Sequence, residues 1–172
     1  MFPVFDVVEK KGSLGSRVAQ IHSYLKTQPM GAAISRLSLA LHDNATGIVS
    51  TLAFSNNAGI EVANIVIPLQ EVPSLKLLTE ARSYRRIDDV VSAYDGARDH
   101  SADIMKNGIR SSLTFPVRHK GWLVGFLFVN SGEPGYFTPE RADFLSPYVA
   151  ILSMMLVDEV GRSKAAGRAA AG

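Results

Sequence analysis

Four histidines, His22, His42, His100 and His119, are the side chains best suited to proton transfer or metal ligation in this chain. No two of them have the spacing that sets two imidazoles on one helix face around a metal, and no Asp/Glu/His cluster accompanies them. His22 lies in a stretch of helical periodicity, and His119 stands between Arg118 and Lys120 in a loop, so solvated roles are expected for both. His42 closes a strand beside a turn, where half exposure is the ordinary outcome. His100 is the one to watch. There is no glycine-rich phosphate loop, and Ser111-Ser112 opens a strand rather than a nucleophile elbow. Cysteine is absent. That removes thiol nucleophiles, thiolate metal sites, disulfides and thioether-linked chromophores. Catalysis has no support in these residues, and no metal is expected.

The 172 residues match the length of one domain. Hydrophobic residues make up 47% of the chain, which is globular, and charged residues 20%, with a formal net charge of +2. No basic stripe is visible, so nucleic acid is not an expected partner. The first residues, MFPVFDVVEKKG, have no signal-peptide pattern. No apolar run reaches the ~20 residues of a membrane span. A cytoplasmic protein without membrane contact is the expectation.

The elements that must position any site follow from periodicity. Leu14, Val18, Ile21 and Leu25 predict a helix over Ser13–Lys26, with Arg17, Gln20 and Lys26 on its other side. Leu37, Leu39 and Leu41 alternate with polar residues, giving a strand with one apolar face. Asp43–Gly47 is a turn into a second strand, Ile48–Phe54, and a third runs over Ala63–Leu69. Ser74 is a candidate N-cap for a short helix through Arg82. A mixed region follows, with a helix near Ser101–Lys106. Strands Ser111–Val117 and Trp122–Asn130 flank a short loop, Arg118–Gly121. Thr138-Pro139-Glu140 starts the last helix, which Pro147 should kink and Gly161 should stop. The predicted class is α+β: an antiparallel sheet of about five to six strands, helices on both faces, and the terminal helices packed together. The boundaries are a 1–12 extension, a 13–160 domain and an Ala/Gly/basic tail or linker over 161–172.

The stretch Gly108-Ile109-Arg110-Ser111-Ser112 to Pro116, then Gly121-Trp122-Leu123-Val124-Gly125, then Phe137-Thr138-Pro139-Glu140, resembles the carboxy-terminal half of a GAF domain. The upstream elements agree in order, so the resemblance spans about Ser13 to Val160. It implies a regulatory sensor that binds a small molecule between the sheet and the segment Val72–Gly108. The candidate ligand-binding residues are then Tyr84, Arg85, Tyr94 and His100 from that segment, with Ser112 and Thr114 from the adjacent strand. A plainer reading of Arg85-Arg86 is surface pairing with Asp88-Asp89. Independently of the family, Gly125 in mid-strand suits a close backbone approach, Pro116 an edge or bulge, and Phe137 a staple onto Ala142.

No cofactor is identified by the sequence. Chromophore-attaching and methionine-sulfoxide-reducing GAF domains act through cysteine, and the pattern of cyclic-nucleotide-binding members is not recognisable. Haem-binding members use a histidine, which leaves His100 and His42 as candidates for a haem or gas sensor. The other rival is a ligand-free dimerisation module. Leu145, Val149, Leu152 and Leu156 form one helical stripe, and Ile151 and Met155 extend it. The excess over one face predicts a homodimer through the terminal helices, with a fused or separate output domain as a further partner.

Overall fold

The computed structural model describes residues 12–81, 83–93 and 99–170, without the side chains of 99–101 and 167–170. Helix α1 spans Leu14–Lys26, and the Ser13 hydroxyl accepts a hydrogen bond from the Ser16 amide at its start. Leu14, Val18, Ile21 and Leu25 are all buried, as their spacing requires. Arg17 and His22 are buried too, against expectation, because the last helix and the first hairpin cover the side of α1 that carries them.

Strands β1 (Ile34–Asp43) and β2 (Ile48–Asn56) form a hairpin, and β3 (Val66–Pro68) adds to the β2 edge. Pro68 is tolerated there because an edge strand has a free side. A 3-10 turn leads into α2, Pro73–Glu80. Its N-cap is Val72, not Ser74: Pro73 takes the first helical position, where its missing N–H costs nothing. Three short elements follow, β4 (Arg85–Ile87), α3 (Val90–Ala93) and α4 (Asp99–Lys106). Strand β4 has no counterpart in the sequence reading.

Strands β5 (Ser111–His119) and β6 (Trp122–Ser131) are joined by a two-residue turn, tighter than the four-residue loop expected. Lys120 and Gly121 both have positive φ, 50° and 83°, which matches the twist of a two-residue hairpin. The six strands form one antiparallel sheet in the order β3-β2-β1-β6-β5-β4. At its centre, Ile34 to Ala40 are buried without alternation, since both faces of β1 are covered. An added Cβ on Gly125 would lie 1.9 Å from the Ala40 carbonyl oxygen, so the close approach expected there is real.

The final helix, α5, covers Pro139–Ala170. It passes both Pro147 and Gly161, and the break expected at Gly161 does not occur. A helical glycine costs only about 1 kcal/mol against alanine, and the Ala, Arg and Lys that follow are strong helix formers. By length and composition α5 could cross a membrane, a property that short apolar runs did not reveal. Its inner side, however, is core: Leu145, Leu152, Met155 and Leu156 pack with α1 and with Leu37, Leu39, Leu113, Leu127 and Val129 of the sheet.

Candidate functional site

The sheet face turned away from α1 and α5 carries the candidate site. Strand alternation sets Arg36, Ser38 and Ala40 of β1 on this face, beside Asn130, Phe128 and Phe126 of β6 and Ser112, Thr114 and Pro116 of β5. Two cross-strand rows result. One runs Asn56, Arg36, Asn130, Ser112, Ile87, and the next runs Phe54, Ser38, Phe128, Thr114, Arg85. Ala40, Phe126 and Leu123 continue the face as an apolar floor under Leu75 and Leu78 of α2.

Arg36, Ser38, Ser112, Thr114 and Asn130 are all buried. Arg36 is 4% exposed; its Nη1 donates to Asn56 Oδ1 at 2.6 Å, and its guanidinium carbon stands 5.0 Å from the Phe54 ring centroid. Burial pushes its pKa down to about 10, against the opposing pull of Asp103, so it remains charged at neutral pH. Among the described residues no carboxylate reaches ion-pair distance of it. Asn130 Nδ2 donates to Ser112 Oγ at 3.0 Å. Arg85 spans from the sheet to α2, donating from Nη2 to Thr114 Oγ1 at 3.1 Å and from Nη1 to Ser74 Oγ at 2.5 Å. Ser74 can accept because it is not capping its helix.

The covering layer is tied down separately. Asp103 of α4 accepts from the Ala63 amide at 2.7 Å, and Asn107 accepts from the Glu61 amide at 2.7 Å. Val62, Val90 and Ile109 close a small cluster beneath them. Arg110 grips Asp89 through two hydrogen bonds, of 3.0 and 2.7 Å. This pairing holds the Asp89 carboxyl below the usual carboxylate range.

The residues singled out from sequence divide. Arg85, Ser112 and Thr114 come together on this face. Tyr84 does not: it packs on the α5 side, its ring 5.4 Å from that of Phe115, because neighbouring residues near an edge strand point to opposite faces. Arg86 pairs with Asp88 at 2.9 Å on the surface, the plain reading of that cation. Tyr94 and the His100 side chain lie outside the described residues. Arg36, Ser38 and Asn130 were missed. Their signal was present as polar residues alternating with Leu37, Leu39 and Val129, but alternation reads as solvent exposure unless the strand is known to be central.

Four of the six proposed dimer residues also need correction. Leu145, Leu152, Met155 and Leu156 are at most 2% exposed within the single chain, consumed by its own core. Val149 and Ile151 are partly buried at the edge of that core. The remaining apolar surface of α5 is led by Met154, 63% exposed. His22 is a structural histidine: Nε2 donates to the Ile34 carbonyl at 3.0 Å, and Nδ1 accepts from Ser55 at 2.8 Å.

The assembled groups are guanidinium and amide donors and hydroxyls, with no carboxylate or imidazole among them. Among the described residues no group of three or more metal-ligating side chains occurs. Such a face can hold a polar or anionic molecule.

No protein-family profile matches the sequence, and no curated protein matches it. Solved structures do. The GAF domain of a phosphoenolpyruvate-protein phosphotransferase from Coxiella burnetii aligns with a TM-score of 0.67 at 18% identity, covering 96% of this chain and 92% of that one. This chain has the GAF-domain fold. The phycocyanobilin-bound GAF domain of a cyanobacterial phytochrome gives 0.64 at 14% identity, over 90% of each chain. A type II free methionine-R-sulfoxide reductase from Thermoplasma acidophilum gives 0.61 at 18% identity, over 84% of this chain and 92% of that one. The same fold thus occurs at comparable likeness in a phosphotransferase's GAF domain, a chromophore-bound GAF domain and a reductase.

Proposed function

We propose that this GAF domain is a non-catalytic sensor of a cytoplasmic signalling protein. It binds a polar or anionic small molecule against Arg36, Arg85, Asn130, Ser112 and Thr114. The observation that carries the reading is Arg36, a buried cation whose one hydrogen-bonding partner among the described residues is a neutral amide. A guanidinium removed from water with no carboxylate at ion-pair distance among the described residues is costly, and a ligand anion would offset that cost. The missing cysteine, and the lack of an acid–base pair among the described residues of this face, support binding without turnover. The binding signal would pass through a homodimer formed by the outer side of α5, where Ile151 and Met154 remain.

A second reading has its own support. Asn130–Ser112, Arg85–Thr114 and Arg36–Asn56 already form closed pairs, as expected of a filled structural module.

Native mass spectrometry of the full chain, purified without added ligand, separates the two. The sensor reading expects a small-molecule adduct. An arginine making a charge-assisted contact contributes about 1.5–3 kcal/mol, so Arg36→Met and Arg85→Ala should each weaken binding roughly ten- to a hundredfold. Arg118→Ala, at the exposed hairpin end, is the matched control. If all three behave alike, the arginine assignment fails. If no adduct forms and no small anion raises the melting temperature, the structural module stands.

A further inference from the structure

A half-open groove of about 800 Å³ lies at the other end of the sheet, between the β1–β2 turn, the β5–β6 turn and the outer half of α5. It is separate from the polar rows: from Thr114 to His119 is five residues of strand, or roughly 17 Å. The groove wall is held by Asn44, whose Nδ2 donates to the Leu123 carbonyl at 3.0 Å. Leu41, Leu123, Val124, Val157 and Val160 give it an apolar lining, and Trp122 stands in it 71% exposed. An indole left in water beside aliphatic side chains marks a contact surface.

The charges around this groove are unbalanced. Lys120 and Lys164 line opposite walls, one on the hairpin turn and one on α5, and His42 and His119 lie between. The only acid in the lining among the described residues is Asp43, whose carboxylate already accepts from the Ala45 amide and the Thr46 hydroxyl, both at 2.9 Å. His42 Nδ1 is buried and has no hydrogen-bond partner among the described residues, which a bound acceptor would supply. Gly161 completes the wall, and an added Cβ there would meet nothing within 4 Å. Small size at that position leaves the space open.

The geometry points to a second binding site here, for a small amphipathic anion of the medium-chain carboxylate type. Its apolar body lies along Trp122, Val157 and Val160, and its carboxylate is held by the lysines and His42. The volume lies within the range of ordinary ligand pockets and admits such a molecule with room to spare. The site touches α5 just where that helix leaves the core, independently of the face assigned to the sensor ligand.

Trp122 is the chain's one tryptophan, so its emission reads this groove directly. The full chain is titrated with decanoate below its micelle concentration, and with decylammonium and decanol as matched cationic and neutral probes. A saturable blue shift at one-to-one stoichiometry is expected for decanoate, with the other two weaker by at least about tenfold. Lys164→Glu should weaken decanoate by a similar factor. Gly161→Leu should abolish the shift without lowering the melting temperature. Absence of a saturable shift, an equal response to decylammonium or decanol, or unchanged binding in either variant overturns the site. So does a response confined to phosphatidylglycerol vesicles, which would make the groove a membrane contact instead. Should Gly161→Leu fail to fold, Lys164→Glu decides alone.

Discussion

Arg17 of α1, only 2% exposed, stands 3.8 Å from the carboxylate of Glu159 on α5. Its Nε has no hydrogen-bond partner among the described residues. This pairing is long and incomplete, and Glu159 is itself 35% exposed. Removing only the acid leaves a buried cation alone, whereas replacing the cation by an apolar chain of similar volume removes the problem. Glu159→Gln should therefore destabilise by about 1 kcal/mol, after allowance for solvent screening, while Arg17→Met should be neutral or stabilising. Urea denaturation measures both. A loss of several kcal/mol in Arg17→Met would show that the guanidinium is an anchor after all.

Two glycines should respond to alanine in opposite directions. Gly125→Ala forces a methyl against the Ala40 carbonyl oxygen and against Leu156, 3.1 Å away, at the centre of the sheet. It should cost about 2 kcal/mol or more, comparable to overpacking a core. Gly161→Ala, in open space on a helix, should gain up to about 1 kcal/mol. Thermal melts of the pair suffice. Equal behaviour would contradict the packing described.

His22 predicts a pH dependence. Desolvation is the main cause that lowers its pKa below 6.5, and the hydrogen bond to the Ile34 carbonyl opposes it only in part. The unfolded chain therefore takes up a proton at a higher pH than the folded one does. Stability is full above the unfolded value and falls as pH drops from about 6.5 towards the folded pKa. Chemical denaturation between pH 7.5 and 5 (chosen to bracket the ordinary histidine range) should show this decline, and His22→Gln should flatten it. An unchanged slope in the variant would assign the decline elsewhere.

Adjacent methionines on α5 separate assembly from folding. Met154 is 63% exposed and Met155 is 2% exposed. Met154→Asp should shift light scattering towards the monomer with little change in melting temperature. Met155→Asp buries an unpaired charge and should destabilise by more than about 3 kcal/mol. A chain that is already monomeric at tens of micromolar (about the ceiling for an ordinary two-fold contact) would remove the dimer from the proposed relay.

The architecture was legible because its signals are local. Helical spacing of Leu14, Val18, Ile21 and Leu25 locates α1, and the strand expected over Trp122–Asn130 matches β6 to within one residue. The polar face proposed as the site was legible only by half. Arg85, Ser112 and Thr114 followed from the family resemblance, but Arg36 and Asn130 sit on strands whose second face is covered by distant segments. Nothing in the neighbouring residues reveals such a cover. Strand β4 escaped notice because three residues are too few for a period, and it exists only through pairing with β5. The apolar stripe of α5 misled for a related reason: Leu145, Leu152, Met155 and Leu156 are buried in the chain's own core, together with α1 and the sheet.

Because α5 continues unbroken from the core through Gly161 to Ala170, it fixes an angle as well as a distance. Each residue of an α-helix turns the chain by about 100° and advances it by about 1.5 Å. Anything joined to this end inherits the rotational phase of Leu152 and Leu156 in the core. Adding two residues beyond Ala170 would swing an attached domain to nearly the opposite side, while adding seven would almost restore its azimuth. The helix is a keyed shaft, and fusions built on this domain must be cut in register with it.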